Sequence, residues 1–283
     1  MDKRTEHHTH ITADRSPMSM NLGEVWRYRD LIMLFTKRSF KLMYKQTVLG
    51  PLWIVISPLL TSIIYTVIFG GIAGLSTNGV PKFLFYLCSH SLWVFFADCL
   101  NKNASAFLTN ANIFSKVYFP RLTIPVSNVI TSGIQFLIHS CLVAVLIIWS
   151  TIRGDVHPEW KLLPLLIPLL LFTAMMGLGL GILVSSVTTK YRDLSFLVGF
   201  GLSLWMYSTP VIYPLSQVTG GMMRKMLIWN PMTAPMELFR LIMLGKGDVL
   251  IQSVISTVIF AAAAFAAGVM VFNRVERSFI DTV

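Results

Sequence analysis

Residues 110–130 read NANIFSKVYFPRLTIPVSNVI and place Lys116, Tyr118, Pro120, Arg121 and Pro125 directly ahead of a long apolar run that lasts to Trp149. Lys116 and Arg121 supply positive charge, and Ile113, Phe114, Val117, Tyr118 and Phe119 supply an apolar, aromatic surface. Pro120 stops a helix at a fixed place. The chemistry open to such a segment is recognition: a compact helix with exposed aromatics, joined rigidly to its neighbours, can insert into a groove on another protein. A helix that merely rests at the membrane interface and anchors its loop has the same pattern.

The other candidates for chemistry are sparse. His90, Asp98 and His139 are the ionisable groups inside apolar runs, and such groups are functional candidates by default because lipid makes them expensive. A proton relay needs a denser chain of titrating groups. The structural alternative puts Asp98 at an interface and leaves both histidines neutral and hydrogen-bonded. His7, His8 and His10 offer imidazoles without a completing ligand set, so a disordered polar tail is the reading and no metal site is expected. Cys88, Cys99 and Cys141 match no metal spacing and are odd in number, as expected of small buried hydrophobes. GLGLG at 177–181 has no preceding strand. Its Gly177 and Gly181, with Ser185, fall on one helix face and predict close helix packing, and Gly70 and Gly74 repeat the spacing. The patterns G-x-x-x-x-G-K-[ST], H-E-x-x-H and G-x-S-x-G are all missing, so no catalytic constellation is visible.

The elements that hold these residues follow from composition. The 283 residues are 54% hydrophobic and 13% charged, with mean hydropathy +0.67. A soluble domain carries about 25% charged residues. The fold class is therefore all-α, integral membrane, with six transmembrane helices at 52–73, 82–100, 124–149, 162–187, 194–213 and 249–272. The net charge of +10 flanks apolar runs, which points to membrane lipid and away from nucleic acid. Six spans put both termini on one side, which carries sixteen lysines and arginines against seven opposite. The termini are expected to be cytoplasmic. The first 30 residues contain no apolar core ahead of a small-residue cleavage site, so no cleavable secretion signal is expected.

Two segments fall outside the spans. In residues 24–49, Leu31, Leu34, Phe35, Leu42 and Met43 mix with Lys37, Arg38, Lys41 and Lys45, which predicts a basic amphipathic helix on the inner leaflet, broken at Gly50–Pro51. Residues 213–248 hold MMRKMLIW and APMELFRLIML, each too short to cross a bilayer. Re-entrant or interfacial half-helices on the outer side fit them, as does an amphipathic loop on the surface. The division is then a disordered cytoplasmic tail at 1–23, the interface helix at 24–50 and a six-span domain at 51–283. Aromatics make up 12% of the chain. Tyr65, Phe69, Trp205, Tyr207 and Tyr213 are candidates to line a passage, since rings stack on sugar faces and tolerate an acyl tail. Ordinary packing or lipid contact is the alternative.

YKQTVLGPLWIVISPLL (44–60), NIFSKVYFPRLTIPVSN (112–128), KYRDLSFLVGFGLSLWMYSTPVIYP (190–214) and WNPMTAPMELFRLIMLG (229–245) keep an order and placement that resemble the ABC-2 permease subunits of bacterial ABC exporters for polysaccharides and polyol phosphates, including O-antigen, capsule and teichoic acid exporters. The resemblance runs from about residue 24 to the end. It implies a homodimer in the bacterial inner or plasma membrane, joined to two copies of an ABC ATPase subunit. ATP and Mg bind on that partner, and no cofactor binds on this chain. It implies a coupling element at 112–121, comprising Asn112, Ile113, Phe114, Lys116, Tyr118, Phe119, Pro120 and Arg121, with Tyr191, Arg192 and Asp193 in a secondary contact. It sets the 24–49 helix beside a substrate portal, where Arg38, Lys41 and Lys45 would attract a lipid-linked phosphate headgroup. Spans one and five would line the channel.

Three functions compete at this point: export of a lipid-linked polymer, ABC-2 export of drugs or other lipids, and a membrane-embedded enzyme acting on a lipid-linked sugar. The missing catalytic motifs weigh against the last.

Overall fold

The computed structural model describes residues 22–114, 119–188 and 193–280. It is all-helical, with no strand among the described residues. The order is α1 (Leu22–Arg27), α2 (Arg29–Tyr44), α3 (Leu52–Tyr65, continued by a π-helical turn Thr66–Ile72), α4 (Lys82–Ala104), α5 (Ala106–Phe114) and α6 (Thr123–Ile152). A 3-10 turn at Trp160–Leu165 then leads into α7 (Leu166–Thr188), followed by α8 (Leu194–Tyr207), α9 (Gly221–Trp229), α10 (Thr233–Leu244) and α11 (Ile251–Ile280).

Five helical stretches among the described residues are long and apolar enough to cross a membrane: Leu52–Ile72, Lys82–Ala104, Thr123–Ile152, Trp160–Thr188 and Ile251–Phe272. The chain is a multi-pass membrane protein. The span expected at 194–213 differs. Its helix, α8, has 14 residues, about 21 Å at 1.5 Å per residue, against a hydrocarbon core of about 30 Å. Residues 208–214 continue without helix toward the loop at 76–80, where Ser216 and Gln217 bond to Asn78 and to the Ser76 carbonyl. The helix expected over 24–49 is also shorter: it breaks at Tyr28 and ends at Tyr44, because Lys45 turns extended and Gln46 takes a left-handed φ of 64° ahead of Gly50–Pro51.

The core sits on α4. Tyr86, Leu87, Cys88, Leu92, Phe96 and Cys99 on this one helix are all fully buried. A helix buried on every side has no need of a polar stripe, and α4 packs against α3, α6, α7 and α10. α7 lies between α4 and α11, and its glycines permit the approach. A Cβ on Gly177 would stand 2.7 Å from Cys99 Cβ, and one on Gly181 would stand 2.6 Å from Asn103 Cβ. On the opposite face, a Cβ on Gly179 would be 2.5 Å from the Ala264 carbonyl, and Gly268 of α11 meets the Gly179 backbone in return. The predicted packing face at Gly177, Gly181 and Ser185 is real, and Gly179 adds a second face. Gly74 is not part of such a face: it occupies a turn with φ +66°.

Within the apolar bundle, interruptions are repaired by side chains. Pro58 lies inside α3 and has no N–H for the Ile54 carbonyl. His139 of α6 supplies it, with Nε2 at 2.7 Å from that oxygen. The bond requires the Nε2–H form of the ring. His139 is thus a backbone-satisfying residue, in keeping with the neutral, hydrogen-bonded alternative.

Gly181→Ala should push α4 and α7 apart and destabilise the fold by about 1–3 kcal/mol. Gly201→Ala on α8, where a Cβ meets nothing within 4 Å, should leave stability unchanged. Thermal unfolding of both variants in one detergent checks the pair.

Candidate functional site

At the end of the bundle where α4 gives way to α5, the predicted coupling segment meets α2. Asn112 and Ile113 lie on the last turn of α5, Asn112 exposed and Ile113 half-buried, and Phe114 ends the helix. Lys116 and Tyr118 lie outside the described residues. Phe119 was expected as an exposed aromatic. Instead it is 4% exposed and forms a cluster with Ala106 and Ile124, against Tyr28, Leu31, Phe35 and Ile113. Its ring centroid is 5.6 Å from that of Phe35. Burial of the apolar face of α2 claims this side chain, so it ties the segment to α2. Pro120 and Arg121 are half-buried and open α6, their carbonyls accepting from the N–H groups of Thr123 (2.9 Å) and Ile124 (3.3 Å). Tyr191 and Arg192 lie outside the described residues, and Asp193 is exposed just before α8.

The predicted portal cations divide between two hollows. Lys41 and Lys45 join Lys37 around a largely apolar hollow of about 650 Å³ bounded by Pro51 and Ile134. Arg38 instead lines a polar cleft of about 450 Å³ between α2, the α4–α5 junction and α6. At the floor of this cleft Lys102 donates to Asp98 (3.0 Å), to Ser132 (3.1 Å) and to Gln135. All three ammonium hydrogens are thereby used, and Gln135 reaches on to Met43 Sδ of α2 at 2.9 Å. Asp98 therefore does not reach an interface alone; it is paired with Lys102. Beyond this seam a second cavity of about 320 Å³ is lined by Trp53, Ser57, His90, Asp98, Gln135 and His139.

The five candidate channel aromatics are not one surface. Tyr65 sits 5.6 Å from Phe69, 6.3 Å from Tyr86 and 5.5 Å from His90, centroid to centroid, and its hydroxyl meets Met206 Sδ at 3.5 Å. Trp205 is wedged against Phe96 (5.2 Å), Trp93 (6.3 Å) and Phe260 (6.3 Å). Tyr207 is exposed, and Tyr213, in the irregular stretch after α8, donates its hydroxyl to the Tyr207 carbonyl at 3.3 Å. Packing accounts for Tyr65, Phe69 and Trp205.

α9 and α10 form a helical hairpin whose tip is Asn230–Pro231. Asn230 Nδ2 donates to the Ser208 carbonyl (2.7 Å) and Thr209 Oγ1 (3.1 Å), and its Oδ1 accepts from Trp205 Nε1 (3.2 Å) and the Met232 N–H (3.0 Å). Ser256 and Thr257 of α11 donate to the Trp229 and Pro231 carbonyls at 2.7 and 2.6 Å. The tip is therefore fixed to α8 and α11. At the other end Glu237 and Arg240, each side chain 1% exposed, form an ion pair. Glu237 also accepts from the Leu215 and Asp248 N–H groups, both at 2.9 Å, and Arg240 lies 4.6 Å above the Phe85 ring of α4.

The sequence of residues 30–244 matches the ABC-2 type transporter family. The chain belongs to that family. It is similar to two O-antigen export system permease proteins RfbA from Klebsiella pneumoniae, 29% and 28% identical over 270 residues that cover 93% of this chain and 98% of each relative. A third RfbA permease, from Myxococcus xanthus, is 30% identical over 226 residues, 77% of this chain and 82% of that protein. This ABC-2 chain is therefore a transport permease in kind and not an enzyme.

The residues of the ABC-2 domain that sequence reading missed are Glu237, Arg240 and Lys102. Arg240 had counted as an outer-loop surface cation, yet it is fully buried. The signal was available in APMELFRLIML, where two opposite charges stand at i and i+3 inside an otherwise apolar helix. Arg240→Leu leaves the Glu237 carboxylate buried without its partner and should cost about 3–5 kcal/mol. The expected result is a clear fall in the thermal midpoint of the detergent-solubilised permease.

Proposed function

We propose that this chain is the membrane permease of an ATP-driven exporter that moves a lipid-linked, O-antigen-type polysaccharide outward from the cytoplasmic side of the bacterial inner membrane. The observation that carries the proposal is near end-to-end similarity to O-antigen export permeases, 93% of this chain against 98% of the relative. In this reading the permease works as a homodimer with two ATPase subunits, which bind ATP and Mg, while this chain carries no cofactor. Both termini are cytoplasmic. The sixth crossing is made by α8 together with the irregular stretch 208–214, and the α9–α10 hairpin is re-entrant from the outer side. Such a non-helical stretch is tolerated at membrane depth only where protein satisfies its backbone, and Asn230 does so for Ser208.

The ATPase contact falls to the end of α5 and residues 115–121, with Tyr191, Arg192 and Asp193 beside it. Asn112, Lys116, Tyr118 and Arg121 form the docking surface, and buried Phe119 passes displacement to α2 through Phe35. Arg38, Lys41 and Lys45 attract the anionic end of the substrate at the membrane surface. Tyr207 remains the candidate channel aromatic best placed for a passing sugar, since it stays exposed.

Purification of the tagged chain from its native cells in mild detergent should bring down a stoichiometric partner that carries a P-loop. Arg121→Glu should abolish stimulation of that ATPase while the permease stays in the membrane. Phe119→Ala should weaken export and also loosen α2, by about 3–5 kcal/mol for an aromatic ring removed from a packed site. Unchanged export and unchanged ATPase stimulation in both variants would remove the coupling assignment. A chain that purifies alone and modifies lipid-linked sugars would restore the enzyme reading.

A further inference from the structure

The cleft of about 450 Å³ between α2, the α4–α5 junction and α6 is of the size that holds a small polar group, since ligand pockets run from about 300 to 1,000 Å³. Its wall has an unusual hydrogen-bonding character. Ser105, Thr109, Ser127 and Thr131 each donate their hydroxyl hydrogen to a carbonyl of their own helical segment, at 3.1, 2.9, 2.8 and 2.8 Å. Asn110 and Asn128 likewise spend an amide hydrogen on the Ala106 and Lys102 carbonyls, at 3.0 and 3.1 Å. Once its hydrogen is committed, a hydroxyl still has lone pairs, and so has each amide oxygen. The wall therefore presents acceptors. Lys102, the cation on the floor, has all three N–H groups engaged and is neutralised by Asp98. Arg38 at the rim is exposed, and among the described residues it has no ion pair with a carboxylate.

A simple anion does not fit such a wall, because an anion needs donors and meets them only at Arg38. A neutral alkyl chain does not fit either. The complementary ligand carries several O–H donors and one anionic group at its edge, which describes a sugar attached to a phosphate. We infer that this cleft is the reception site for the sugar phosphate end of the lipid-linked substrate, with Arg38 holding the phosphate and the Ser/Thr/Asn wall accepting the sugar hydroxyls. The inference rests on the exporter reading and names where its substrate is first recognised. It separates Arg38 from Lys41 and Lys45, which face a different and largely apolar hollow. It also places recognition against the transmission element. Thr109 and Asn110 lie on α5, which runs into the proposed docking segment, and Phe35 contributes both to the cleft and to the Phe119 cluster. A sugar seated here bears on the two elements that Phe119 holds together.

The test is equilibrium binding to the full permease in nanodiscs of neutral lipid. The probes are a short prenyl diphosphate carrying one hexosamine, the same prenyl diphosphate without sugar, and phosphatidylglycerol. Arg38→Gln should weaken both diphosphates about tenfold, as expected for loss of one charge-assisted contact. Arg29→Gln removes the same charge from the exposed start of α2 and should change nothing. The pair Ser105→Ala with Thr109→Val keeps size but removes two acceptors; it should weaken the sugar-bearing probe about tenfold and leave the sugar-free one unchanged. Equal loss of both diphosphates in that pair, or no loss in any variant, overturns the site. Tight phosphatidylglycerol binding that Arg38→Gln removes as completely would make this a site for bulk anionic lipid and overturn the sugar assignment. Binding is read without the ATPase, so failure of the exporter reading appears separately, as absence of the P-loop partner or of export.

Discussion

In an apolar bundle, every backbone group released by an interruption must find a partner within the protein, and the polar side chains of this chain are placed by that demand. Pro58 strands the Ile54 carbonyl, and His139 answers it. Helix α8 stops at Tyr207, and Asn230 takes the freed Ser208 carbonyl while holding the tip of the α9–α10 hairpin. Glu237 accepts the N–H groups of Leu215 and Asp248, which lie in non-helical stretches on either side of that hairpin. Lys82 covers the Gly70 carbonyl where the π-helical turn ends α3. Residues that read as isolated polar oddities in sequence are the repairs that allow the helices to be broken.

The second organising contact is the narrow approach of α7 to its neighbours. Its glycines face α4 on one side and α11 on the other, so the three helices behave as one block in which backbones touch. TM packing of this kind relies on van der Waals contact, because apolar surface gains little by leaving lipid for protein. By contrast, α3 leaves Leu60, Ile63, Ile64, Val67 and Ile68 exposed, and α8 leaves Phe196, Leu197, Phe200 and Leu204 exposed. In the proposed dimer these uncovered faces are available to lipid, to the second copy and to the channel, while the α4–α7–α11 block stays rigid. Motion would then be carried by elements joined through side chains, α2 and α5 above all, where Phe119 and Phe35 provide the link.

Much of the architecture was legible in the sequence because it depends on local periodicity and composition. Apolar runs near 20 residues can only be spans, and α3, α4, α6, α7 and α11 lie within a few residues of their expected positions. Gly177 and Gly181 announced a packing face through their i, i+4 spacing. The family resemblance was carried by four ordered stretches and was met by the match over residues 30–244. The α8 boundary was not legible, since Ser208 to Tyr213 is as apolar and aromatic as the helix before it. What ends the helix is the hairpin tip that competes for its carbonyls.

Sequence alone settled that this is an all-helical, multi-pass membrane protein with a basic amphipathic helix ahead of its first span, because hydrophobic length and charge are properties of the chain read in order. Tertiary structure alone decided which polar residues act together. Lys102 meets Ser132 and Gln135 across about 30 positions and the Leu215 N–H meets Glu237 across 22, while Phe119 turned inward although its neighbours are charged. Those choices follow from which helix faces come into contact. A side chain's partner depends on the rotation and spacing of helices far apart in the sequence, which no local pattern records.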